Sequence, residues 1–93
     1  MHARVVRFTD VTPEHIAEIV SQVEGQGPPP GIDPAGLELF FDEAQGTAIF
    51  VGYFETEEKL RDASAVFEAM DASETPGSRA SVDLCELKVQ RKL

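Results

Sequence analysis

The chain has 93 residues, 42% hydrophobic and 27% charged, with 17 acidic against 8 basic side chains and a net charge of −9. That length gives one small domain whose marginal burial favours oligomerisation. The acidic balance excludes binding nucleic acid by phosphate neutralisation, and no run reaches the ~18 apolar residues of a membrane span. Ala3–Thr9 reads as a first strand, and the M-H-A-R-V-V-R start holds no apolar signal-peptide core. Thr12-Pro13-Glu14 then opens a helix, with Thr12 as the cap and Pro13 where no N–H is needed. Its apolar stripe is Ile16, Ile19, Val20 and Val23, and Gly25 stops it.

Gly25–Gly36 (G-Q-G-P-P-P-G-I-D-P-A-G) is turn chemistry throughout, long for a connection inside a compact domain. Leu37–Asp42 and Thr47–Phe54 are strands joined by Glu43-Ala44-Gln45-Gly46, a hairpin connection. Thr56-Glu57-Glu58 starts a second helix with acids at its N-terminal dipole end and a stripe of Leu60, Ala63, Phe67 and Met70. A loop over Asp71–Arg79, broken at Thr75-Pro76-Gly77, leads to a last strand at Ser81–Val89. The order βαββαβ predicts an α+β, ferredoxin-like domain spanning 1–93: a four-stranded antiparallel sheet with two helices on one face. If the first and last strands are neighbours, Arg4 and Arg7 join Lys88, Arg91 and Lys92 in a modest basic patch or solvated edge.

Thr47–Phe54 is apolar on both alternating faces. A two- or four-residue hairpin loop puts Leu37, Leu39 and Phe41 with Ala48, Phe50, Gly52 and Phe54, and Glu38 and Phe40 with Ile49, Val51 and Tyr53. A three-residue loop with a bulge would reverse the assignment. The helices can cover only the first set, so a second copy of the chain is expected over the other, in a closed two-fold homodimer.

Y-F-E-T-E-E-K-L from Tyr53, V-F-E-A-M-D, and S-E-T-P-G-S-R-A-S-V-D-L-C-E-L up to Leu87, with the G-L-E-L-F-F-D strand, resemble the dimeric α+β barrel proteins. The likeness is greatest to the small antibiotic-biosynthesis-monooxygenase-like domains, and it covers nearly the whole chain. It implies two sheets packed into a barrel, a ligand held in a cavity between sheet and helices and, if the chain is an enzyme, a cofactor-independent monooxygenase-like reaction on an aromatic or polyketide-like compound. The Trp and Asn residues on which oxygenases of that superfamily draw are both missing from this sequence. The resemblance therefore carries a fold and no catalytic residue.

From the residues themselves, the candidates for chemistry are His15, Tyr53 and Cys85. His15 could act as a base at the flank of the first helical stripe, or be an ordinary helix-start histidine. Tyr53 could donate a proton to a bound oxygen, or lie at the barrel seam. Cys85, the one cysteine, reads as a small buried hydrophobe, since no base is placed to activate it, and it excludes an internal disulfide. His2 reads as a loose terminal residue. Glu14, Glu18 and His15 have helical ligand spacing but suit a solvated face, so neither a metal nor a cofactor is expected. Gly25 and Gly27 make no dinucleotide fingerprint. The expected protein is a cytoplasmic homodimer that binds a small molecule, as a cofactor-independent enzyme or as a binding module.

Overall fold

The computed structural model describes residues 1–27, 31–69 and 77–92. Its elements are β1 (His2–Thr9), α1 (Pro13–Gly25), β2 (Gly36–Asp42), β3 (Thr47–Phe54), α2 (Glu57–Glu68) and β4 (Ser78–Glu86). The strands form one antiparallel sheet in the order β2-β3-β1-β4. This is α+β and consistent with the ferredoxin-like arrangement expected from the element order. Pro28–Pro30, Met70 and the Thr75-Pro76 break lie outside the described residues.

Local chemistry sets the element boundaries. The Thr12 hydroxyl accepts from the His15 N–H at 3.2 Å, and the Thr56 hydroxyl accepts from the Lys59 N–H at 3.1 Å, so both helices start on capping threonines. In the β2–β3 turn the Asp42 carboxylate accepts from the Gln45 backbone at 3.3 Å and its side-chain amide at 2.8 Å. Gly46 takes a positive φ of 64° there. Asp42 pairs with Thr47 across a four-residue loop, and the register carries the expected parity: Leu39 faces Phe50 and Phe41 faces Ala48.

Both helices lie on the face made by Leu39, Phe41, Ala48, Phe50 and Phe54. One core group joins Val6, Phe8, Val11 and Ala48, with Ile16 of α1 packed against it, and the Phe8 and Phe50 rings meet edge to face. The second joins Ile32, Phe54, Leu60 and Ala63, with Val66 and Phe67 of α2 alongside. The helices are unequally seated. α2 buries Leu60 and Ala63, whereas α1 buries no residue and leaves Val20 and Val23 at 40% and 47% exposure.

Two expectations are corrected. The last strand covers Ser78–Glu86 rather than Ser81–Val89, because its ladder with β1 runs from the Thr9–Ser78 pair to the His2–Glu86 pair. Beyond the last paired residues the Leu87 N–H donates to the Met1 carbonyl at 2.9 Å. The basic patch is not assembled either. β1 and β4 are neighbours, but Arg4 points to the helices and Arg7 away from them, while Lys88 pairs with Glu86 at 3.3 Å.

Gly77 enters β4 at a φ of 56°, and a Cβ there would overlap the Thr9 carbonyl oxygen and lie 2.8 Å from that of Asp10. A left-handed backbone costs an L-residue about 1–2 kcal/mol before any clash. Gly77→Ala is expected to lower urea stability by about 2 kcal/mol or more. Gly25→Ala, which meets no atom within 4 Å, should be neutral or stabilising in the same measurement.

Candidate functional site

Alternate residues of the four strands point away from the helices, and the register lines them up across the sheet. Gly36, Tyr53, Ala3 and Cys85 form one row, and Glu38, Val51, Val5 and Asp83 the next. Phe40, Ile49, Arg7 and Ser81 form the third. Val51 and Val5 lie at its middle, with Glu38 and Asp83 on the edge strands and Arg7 on β1. No element among the described residues covers it, and Phe40 is 54% exposed.

Tyr53 and Cys85 both belong to this open face, on either side of Ala3. Two strand spacings, roughly 10 Å, separate their backbones, which is too far for direct proton exchange. The Tyr53 phenol is pushed up, chiefly by its interaction with the Glu38 carboxylate of the adjacent strand and less by desolvation. Cys85 is exposed, against the expectation of a buried hydrophobe, because β4 is an edge strand and its outward side chains have no layer over them. His15 lies on α1, on the other side of the sheet and half-buried, with its backbone N–H spent on the Thr12 cap. The three candidates are therefore not one site.

The residue that sequence reasoning missed is Arg4, set down there only as part of a basic edge. It occupies the helix side of a central strand, opposite Gly52 and Leu84, and its side chain is 8% exposed. The guanidinium lies 4.5 Å from the Phe67 ring centroid, a cation–π contact. Its Nη2 donates to Glu68 Oε1 at 3.4 Å. Arg79 holds the same carboxylate with two hydrogen bonds, 2.7 and 3.1 Å. Burial pushes the Arg4 guanidinium down, against the opposing pull of Glu68. Its Nε is buried without a hydrogen-bond partner among the described residues. The signal in the sequence was alternation: His2, Arg4, Val6 and Phe8 share a face, so a charge at position 4 falls inside.

A half-open cleft of about 150 Å³ lies at the end of the sheet, lined by His2, Glu57, Leu60, Arg61, Leu84, Cys85 and Glu86. His2, expected to be loose, is paired with Phe54 and Glu86 in β1. The cleft is smaller than the roughly 300–1,000 Å³ that drug-sized ligands occupy. No protein-family model, curated protein or solved structure matches the chain.

Two measurements follow from these geometries. The Glu68 carboxyl is held below the usual carboxylate range, chiefly by its hydrogen bonds from Arg79 and secondarily by Arg4. A depressed carboxyl stabilises the fold fully above its unfolded value and loses that contribution as pH falls through the lower folded one. Glu68→Gln should therefore lower the melting temperature at neutral pH and flatten its decline on acidification. Arg4→Met, which removes the buried charge itself, should be near neutral or stabilising. Tyr53 is the one tyrosine in a chain without tryptophan, so its phenolate absorbance reads a single group. Its midpoint should lie above the ordinary tyrosine value and fall towards it in Glu38→Gln.

Proposed function

We propose that this protein is a homodimer of ferredoxin-like protomers, akin to the monooxygenase-like barrels, that binds a small apolar or aromatic molecule and serves as a binding module. The open face carries the dimer reading. Val5, Ile49, Val51 and Phe40 present a continuous apolar surface with no cover among the described residues. Each large side chain buried there would contribute roughly 1.5–3 kcal/mol, and a second copy of the same sheet is the simplest complementary cover. The ligand reading is supported on the helix side, where Val20, Val23 and Leu37 stay exposed and α1 buries nothing. A catalytic reading is less well supported, because His15 is across the sheet from Tyr53 and Cys85.

Light scattering at micromolar concentration should give twice the 10.2 kDa protomer mass, and Val51→Asp should reduce it to the protomer. A wild-type protomer at that concentration would sink the dimer. With the dimer intact, Val20→Asp/Val23→Asp should abolish fluorescence enhancement of an anilinonaphthalene dye. Unchanged enhancement would sink the helix-side site.

A further inference from the structure

Charge is divided unevenly along this chain. Lys88, Arg91 and Lys92 are three of its 8 basic residues, and all 17 acidic residues precede them. Residues 87–92, which carry these cations, leave β4 fully exposed, with Val89 at 82%. Past the Leu87 N–H they make no backbone hydrogen bond among the described residues. We propose that residues 87–92 are an arm that lies as a short strand along β2 of a second copy of the chain. The arm presupposes the open-face dimer proposed above and adds a second contact to it.

β2 and β4 are the two edges of the sheet, and they are unequal. β4 is irregular, its register with β1 shifting between Arg7 and Phe8, and such a shift blunts an edge. β2 pairs with β3 in unbroken register from Gly36 to Asp42 and holds neither a proline nor a basic residue. Its Leu37 and Phe40 are exposed. A regular, apolar edge of this kind is a template for another strand.

Charge selects the strand that suits it. Glu38 and Asp42 lie on β2, and Glu43 follows. A second β2 would set carboxylates against carboxylates, and β4 offers Asp83 and Glu86 while its Arg79 is held by Glu68. Residues 87–92 offer three cations and no acid, with Leu87 and Val89 at the alternate positions a strand requires. The Lys88–Glu86 pair is exposed on both sides, so it costs little to exchange.

The protomer's own β2 is the opposite edge, across the whole sheet from where the arm leaves. Packed sheets lie ~10 Å apart and six extended residues span ~20 Å, so the arm reaches a partner's sheet with about half its length left for pairing. The two-fold axis must then bring β4 of each protomer to the β2 side of the other, so that both β2 edges are covered.

Hydrogen exchange read by mass spectrometry on the intact chain tests this. In the wild-type dimer, residues 87–92 and β2 should exchange about tenfold or more slowly than in the Val51→Asp protomer. K88E/R91E/K92E should release both segments and raise the dimer dissociation constant about tenfold or more in sedimentation equilibrium. Adding E38K/E43K should restore both; all five side chains are exposed, so these variants should fold, which circular dichroism checks. A wild-type dimer with residues 87–92 unprotected, or one indifferent to K88E/R91E/K92E, would overturn the arm and leave the dimer standing. Failure of E38K/E43K to rescue would overturn its docking on β2. A wild-type monomer would remove both arm and dimer.

Discussion

Side chains alternate along a β-strand, so the inner strands β3 and β1 present apolar residues to both sides of one sheet. Both helices pack on the same side, beside Phe54, Ala48, Val6 and Phe8. The other side keeps Val5, Ile49 and Val51 without a layer over them among the described residues. Much of what can be said of this protein follows from that imbalance. It accounts for the exposure of Phe40 and Cys85, and it is the ground for proposing a second copy as cover.

The helix side is not a uniform apolar layer. Arg4 lies within it, and its charge is tolerated through a shared carboxylate and an aromatic face rather than through water. Glu68 is held mainly by Arg79 and lends one oxygen to Arg4. This ties the end of α2 to β1 and to the start of β4. Such an arrangement adds little net stability compared with an apolar replacement, but removal of one partner leaves a buried charge uncompensated. α1 has no comparable tie among the described residues: its capping threonine orients it, while half of its apolar stripe is exposed.

The chemical candidates divide along the same plane. Tyr53 and Cys85 sit outside the sheet and His15 inside, so residues that could have formed a catalytic group in the sequence are separated by the sheet itself. Tyr53 lies one row from Glu38 on the adjacent strand, and that carboxylate pushes its phenol up.

Alternation, capping and turn chemistry act over a few residues, which is why the sequence alone determined six elements, their type, the hairpin parity of Leu39–Phe50 and the two-faced character of Thr47–Phe54. The bounds of β4 were not legible, because they are set by its pairing with β1, a segment distant in sequence. Arg4 read as surface because its acceptor is 64 positions away in Glu68, and only folding brings that carboxylate to it. Cys85 read as buried because mid-strand position says nothing of whether the strand lies at an edge. Tertiary structure alone decided those three points: burial and pairing depend on which distant segments become neighbours, and local pattern does not encode that distance.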